Sequence, residues 1–151
     1  MEQILIAKNK KAFYNFHIID RYEAGLVLTG SEVKSMREGK MNLGEAYILV
    51  RGSEVLLIGC HISSYSNTGY KGHDPTSDRK LLLKKREILK LKQSTAQKGL
   101  TAVPLEAYFN KKGWAKIVIG TAKGKRLHDK KEALRERDIK RETDREVARN
   151  R

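Results

Sequence analysis

The chain has one cysteine, Cys60, so no internal disulfide can brace it. Cys60 lies in an apolar stretch, residues 56–62, and reads as a small buried hydrophobe. Long hydrophobic runs are also missing. Val55-Leu56-Leu57-Ile58 falls far short of the roughly 20 apolar residues needed to span a bilayer. No stretch joins a broad apolar face to a basic one, as a membrane-surface helix would. The opening Met1-Glu2-Gln3-Ile4-Leu5-Ile6-Ala7-Lys8 lacks the basic n-region and the apolar length of a secretory signal. These absences point to a reducing cytoplasm and exclude a membrane partner. No internal repeat at a solenoid period is present.

The parts of an enzyme are scarce as well. His17, His61, His73 and His128 show no metal-ligand spacing with cysteine or carboxylate. Asp74 adjoins His73 in sequence only. Glu23 and Glu32 are isolated carboxylates without a partner acid for glycosidase or nuclease work, and a buried or capping role suits them. Gly120-Thr121-Ala122-Lys123-Gly124-Lys125-Arg126 is glycine-rich and basic but lacks the Gly-x-x-x-x-Gly-Lys-Ser/Thr of a phosphate loop. Flexible cations there suit contact with an RNA backbone. No catalytic residue, metal or cofactor is expected.

Positive charge is what the chain has in excess. Its 151 residues, one domain's worth, carry 32 Lys and Arg against 18 Asp and Glu, a formal net of +14. Such a field attracts polyanions. With membranes set aside, nucleic acid is the expected partner. Residues 125–151 hold 11 basic and 7 acidic side chains, a net of +4, which leaves +10 on the rest. The chain therefore divides into a β-rich RNA-binding body, residues 1–124, and a charged tail, residues 125–151. Glu132/Arg135, Glu136/Lys140, Asp138/Arg141 and Glu142/Arg145 stand three or four apart, and such pairs support a helix by about 0.2–0.5 kcal/mol each. Leu127, Ala133, Leu134, Ile139, Val147 and Ala148 form no sustained apolar stripe. The tail is expected to be disordered when free and helical in a polyanionic groove.

Short strands are expected at residues 4–8, 13–19 and 22–28, the last with a bend or bulge at Gly25. Residues 46–51 and 54–63 flank Gly52-Ser53 as a hairpin, and residues 101–109 and 114–121 flank Asn110-Lys111-Lys112-Gly113 as another. Thr29-Gly30-Ser31-Glu32 has capping-box spacing for a helix that stops at Gly39. A second helix is expected after Asp74-Pro75-Thr76-Ser77 and carries Leu81, Leu82 and Leu83. A third spans about residues 87–98. The elements do not alternate strand and helix, which argues against a parallel sheet. The fold class is mainly β with a few helices. A small antiparallel barrel flanked by about three helices fits, and oligonucleotide-binding barrels are one such architecture.

Several clusters suit phosphate contact. Lys8-Asn9-Lys10-Lys11 sets three cations beside an amide. Lys34 and Arg37 share a helix face, with Val33 and Met36 turned inward. Arg79-Lys80-Leu81-Leu82-Leu83-Lys84-Lys85-Arg86 brackets three leucines with cations. Neighbouring positions are about 100° apart on a helix, so at least one leucine is exposed and available to a base or ribose.

In order and spacing these segments resemble the SmpB (small protein B) family over about residues 6–141. The marks are Asn9-Lys10-Lys11-Ala12, then Glu23-Ala24-Gly25-Leu26-Val27-Leu28-Thr29-Gly30-Ser31-Glu32-Val33-Lys34-Ser35-Met36-Arg37-Glu38-Gly39-Lys40. His61-Ile62-Ser63, Arg79-Lys80-Leu81-Leu82-Leu83, Pro104-Leu105 and Ala122-Lys123-Gly124-Lys125-Arg126-Leu127-His128-Asp129-Lys130 follow. The resemblance implies an oligonucleotide-binding-like barrel that binds the tRNA-like end of transfer-messenger RNA for trans-translation and ribosome rescue. It implies RNA contacts at Asn9, Glu23, Leu82 and Lys116, supported by Lys10, Lys11, Lys34, Arg37, Arg79, Lys80 and Lys84. It also implies a tail that enters the vacant decoding site and mRNA channel of the small ribosomal subunit. Lys123, Lys125, Arg126, His128, Asp129, Lys130 and Lys131 open that tail. A monomer is expected. Lys84 departs from the family's common Asn or His, Arg126 from Lys, and Lys131 from Arg.

Overall fold

The computed structural model describes residues 3–64 and 74–125. In chain order these form β1 (Ile4–Lys8), α1 (Lys10–Asn15), β2 (Phe16–Leu26), α2 (Gly30–Arg37), β3 (Met41–Asn42) and β4 (Tyr47–Arg51). Then come β5 (Glu54–Ile58), β6 (His61–Ile62), β7 (Arg79–Leu82), α3 (Lys85–Ala96), β8 (Thr101–Phe109) and β9 (Ala115–Gly124). Seven strands make one sheet in the order β1-β8-β9-β2-β7-β5-β4, and β3 pairs with β6. Every pairing is antiparallel. The sheet curls until β4, at one edge, packs against β8, one strand in from the other edge. Such curling closes a barrel-like wall around an apolar interior. The expected mainly antiparallel β fold with three helices is what the chain adopts.

Ala24, Leu26, Leu57, Leu81, Ile117 and Ile119 of the wall fill that interior, joined by Met36 from α2 and Leu91 from α3. A second cluster, Ala12, Val103, Leu105 and Ala122, lies under α1 with Phe13, Phe16 and Ile18 packed on it. β8 is therefore buried on both faces, which explains its nearly continuous apolar sequence.

Two helices follow their local signals. Thr29 Oγ1 accepts from Glu32 N–H at 3.3 Å, and Glu32 Oε1 accepts from Thr29 N–H at 2.9 Å, so the capping box is formed. α2 stops where Gly39 takes φ +76°, a left-handed value that side chains with Cβ resist. α3 begins where Lys84 N–H donates to Glu87 Oε1 at 3.1 Å.

Elsewhere the structure corrects the sequence reading. Residues 79–82 are a strand, not a helix. Arg79 and Leu81 point inward while Lys80 and Leu82 point outward, the period of two of a strand with partners on both sides. Phe13 and Tyr14, expected in a strand, lie in α1. Asn9 caps that helix through Oδ1, which accepts from Ala12 N–H at 3.1 Å, and the turn buries Ala12. The two strands expected between residues 13 and 28 are one, β2. Its bulge falls between Ile18 and Asp20 rather than at Gly25, and leaves Ile19 54% exposed. Residues 120–124 are not a flexible loop. They continue β9, with Gly120, Thr121 and Ala122 buried.

One ion pair joins the parts. Glu32 and Arg79 are both buried, and Glu32 Oε2 accepts from Arg79 Nε. Arg79 Nη1 donates to Cys60 O at 2.6 Å, and Nη2 donates to Asp74 O at 3.3 Å and Pro75 O at 3.0 Å. Pro75 O also accepts from Ile62 N–H at 2.9 Å. The guanidinium thus ties α2, β7, β6 and the turn at residues 74–75 to one point. Burial works against ionisation of Glu32. The Thr29 backbone N–H and the Arg79 guanidinium outweigh it and hold the carboxyl below its ordinary range. Cys60, expected to be buried, is fully so; burial pushes its thiol up to about 11 despite the Arg79 charge, so it is inert.

Breaking a buried pair from one side strands the other charge. Glu32→Gln should therefore lower unfolding free energy at pH 7 by roughly 3–5 kcal/mol in urea titrations. The native carboxyl binds its proton at lower pH than the unfolded one, whose value is about 4.3. The stabilisation is complete above that value and disappears as pH falls through the native one. The gap between parent and variant should accordingly narrow on acidification from pH 5 to pH 3. A constant gap would contradict this.

Candidate nucleic-acid interface

Strand register brings three elements to one row. Gly25 of β2 pairs with Lys116 of β9 on one side and Leu82 of β7 on the other. Glu23 lies two residues along β2 on the same face, and Lys80 shares the outward face of β7 with Leu82. A Cβ at Gly25 would sit 3.3 Å from Leu82 Cβ, so glycine keeps bare backbone between the leucine and the lysine. A depression of about 460 Å³ results, lined by Glu23, Gly25, Leu82, Leu83, Lys84, Glu87 and Lys116. Leu82, one of its lining residues, is 56% exposed.

Buried Tyr108 stands opposite Lys116 in the β8–β9 register, next to the Glu23 carboxylate. Burial, with that carboxylate beside it, pushes the Tyr108 hydroxyl up to about 12. The site thus offers an acceptor, an apolar platform and cations. That set can accept hydrogen bonds from base N–H groups, cover a base or ribose, and neutralise phosphate.

α2 presents Lys34 and Arg37 to solvent, with Met36 buried and Val33 packed on the core as expected. The Arg37 guanidinium lies 4.6 Å from the centroid of the Phe109 ring. Lys8, Asn9, Lys10, Lys11, Asn42, Gly44 and Glu45 line a separate depression of about 230 Å³. There Lys11 Nζ meets Glu45 Oε1 at 2.5 Å in a solvent-exposed pair, which holds the Glu45 carboxyl below its ordinary range. Lys8 sits over the Phe13 ring at 5.3 Å. Lys123 is exposed on β9, and Lys125 N–H donates to Asn15 O at 2.8 Å. Arg126, His128, Asp129, Lys130 and Lys131 lie outside the described residues.

Two of the sequence-derived contact residues are interior. Arg79 is 2% exposed and its donors are spent on Glu32 and three carbonyls, so it does not belong with the surface cations. Asn9 is 4% exposed; its amide donates to Leu43 O at 3.2 Å and Pro104 O at 2.9 Å while its oxygen caps α1. The Lys8-Asn9-Lys10-Lys11 run is held by this amide rather than fronted by it. Leu82 is exposed as reasoned, but by strand alternation. Sequence reasoning missed Tyr108 and Trp114, and read Gly25 only as a bend or bulge. The signal for Trp114 was a lone indole beside two lysines in a hairpin turn. Among the described residues no group of His, Cys, Asp and Glu could hold a metal, and no helix is long and apolar enough to cross a membrane.

Comparison with known proteins meets this geometry. The family model described as SmpB protein matches residues 6–149. The chain belongs to the SmpB family. An SsrA-binding protein of Anaeromyxobacter sp. (strain Fw109-5) is 50% identical over 147 residues, 97% of this chain and 88% of the relative. One of Sulfurihydrogenibium sp. (strain YO3AOP1) is 51% identical over 142 residues, 94% of this chain and 93% of the relative. A solved SmpB structure, from work described as "tmRNA-SmpB: a journey to the center of the bacterial ribosome", superposes with a TM-score of 0.68 at 42% identity. The match covers 85% of this chain and 94% of that one.

The roles of Asn9 and Leu82 separate by stability. Asn9→Ala leaves the Leu43 and Pro104 carbonyls without their side-chain donor and should cost about 1–3 kcal/mol in urea unfolding. Leu82→Ala on the exposed face should stay within about 0.5 kcal/mol of the parent. Equal losses would contradict the assignment.

Proposed function

We propose that this chain binds the tRNA-like domain of transfer-messenger RNA and delivers it to stalled ribosomes for trans-translation. Residues 125–151 would then occupy the empty decoding site and mRNA channel of the small subunit. Membership of the SmpB family, whose relatives carry the printed name SsrA-binding protein, supports the partner. The structural neighbour's description sets tmRNA and SmpB at the bacterial ribosome. The observation that carries the reading to the residues is the Lys116-Gly25-Leu82 row with Glu23 beside it, an open platform on a body of net charge +10.

The protein works by binding alone. It makes and breaks no bond, uses no metal or cofactor, and acts as a cytoplasmic monomer. Glu23, Leu82, Lys84 and Lys116 form the centre of the RNA surface, with Lys80, Lys34 and Arg37 beside it. Lys10 and Lys11 add phosphate contacts from the neighbouring depression, where Asn9 positions them. Lys123, Lys125, Arg126, His128, Asp129, Lys130 and Lys131 lead into the ribosome-binding tail. The body, residues 1–124, and the tail, residues 125–151, divide the work: the body holds the RNA and the tail tests whether the channel is empty.

Affinity for the isolated RNA should fall with salt, with a log–log slope of about −0.7 to −0.9 for each phosphate neutralised. Removal of residues 127–151 should leave that affinity unchanged in filter binding. The same deletion should abolish peptide tagging on ribosomes stalled at the end of a truncated message. Tagging that survives the deletion would defeat the role of the tail. Equal affinity for a folded RNA of the same length at moderate ionic strength would defeat the partner.

A further inference from the structure

Beside the Lys116-Gly25-Leu82 row the surface opens into a second groove of about 650 Å³. Gly25, Leu82 and Lys116 line both depressions, so the two adjoin. Apolar side chains make the walls of the second: Val27, Val33, Phe109 and Trp114 meet Leu82 there. Three of them face solvent despite their size, Trp114 at 67% exposure, Leu82 at 56% and Val27 at 47%. An apolar patch of this kind marks a binding surface more often than a plain one.

The indole is not carried on a loose end. Trp114 N–H donates to Asn110 Oδ1 at 2.9 Å, and Asn110 N–H donates back to Trp114 O at 3.0 Å. Gly113 N–H donates to Asn110 O at 2.9 Å and Lys112 N–H to Asn110 Oδ1 at 3.1 Å. Asn110 thus closes the β8–β9 turn and sets the start of β9, with Trp114 at its lip.

Charge selects the occupant. Lys116 is the single charged residue that lines the groove. Lys111 and Lys112 are exposed in the same turn, and Arg37 rests on Phe109, whose ring also lines the groove. An apolar peptide would have no need of that cationic rim. A nucleotide needs both parts, a flat face for its base and cations for its phosphate. The tail of this chain is the poorer occupant, because it leaves the body at Gly124, the opposite end of β9 from Trp114.

We propose that this groove takes one unpaired nucleobase of the bound RNA, stacked on the Trp114 indole, with Lys116 on the adjoining phosphate. The proposal rests on the RNA-binding reading above and extends that surface past Leu82. Stacking on an aromatic ring is sequence-tolerant, so the groove selects an unstacked base rather than a particular one.

Trp114 is the chain's only tryptophan, so its fluorescence reports this groove alone. The full-length protein would be titrated with the tRNA-like domain of transfer-messenger RNA while affinity is measured separately by filter binding. Quenching of the emission with the same midpoint as binding is expected. A fully paired RNA duplex of equal length should bind more weakly and leave the emission unchanged. Trp114→Ala should weaken binding by about 5- to 150-fold while Trp114→Phe keeps most of it. Thermal unfolding of both variants should match the parent, since the side chain is exposed. If the RNA binds with unchanged emission, or Trp114→Ala binds as the parent does, the groove holds no base and the wider RNA reading stands. Equal quenching by the duplex overturns stacking in favour of bulk charge. An emission change on concentrating the protein alone assigns the groove to a second copy and overturns it too. Failure of the parent to bind the RNA at all would defeat the function itself.

Discussion

The structure depends on a buried carboxylate and a buried guanidinium. Glu32 is fixed by the first turn of α2, where it closes the capping box with one oxygen and takes Arg79 with the other. Arg79 then spends its remaining donors on carbonyls from residues 60, 74 and 75. Removing two charges from water is costly, and the attraction between them offsets that cost only when every donor and acceptor is matched. Here each guanidinium nitrogen and each carboxylate oxygen has a partner. The pair is as much a statement of geometry as of stability, because α2 and β7 can meet in few other ways that satisfy all of those groups.

That geometry sets the outer surface. With Arg79 and Leu81 turned in, Lys80 and Leu82 must turn out. β2 contributes Gly25 beside Leu82, and β9 contributes Lys116 beyond it. Glu23 stands two residues from Gly25 on the same face of β2. The apolar platform, the acceptor and the cation are therefore placed by strand pairing, not by loops. A rigid sheet face costs little to order on binding, which suits the RNA surface proposed above.

Much of this was legible in the chain, and the reasons differ by residue. Capping and hairpins are local, so Thr29, Glu32, Gly39 and the turns at Gly52 and Asn110 announce themselves. The net charge and the absence of enzyme constellations point to an RNA partner, and the ordered motifs resemble SmpB. What stayed hidden depends on distant partners. Arg79 looks like one more surface cation until Glu32, 47 residues away, closes on it. Asn9 looks like part of a basic run until Pro104, 95 residues away, takes its amide. The leucine triplet carries no clear period, and only pairing with β2 and β5 makes it a strand. Trp114 shows in sequence only as a lone indole after a lysine-bearing turn; its meaning comes from Leu82 and Val27, which line the same groove.

Arg79-Lys80-Leu81-Leu82 has a further property. Shifted along its neighbours by one position, β7 would still turn one cation and one leucine inward, now Lys80 and Leu82. Hydrophobicity alone barely tells the two alignments apart. A lysine, though, is a single point of charge and cannot reach a carboxylate and three carbonyls together. The arginine therefore serves as an indexing mark, which makes one alignment of a chemically ambiguous strand correct and so decides which leucine is left facing solvent.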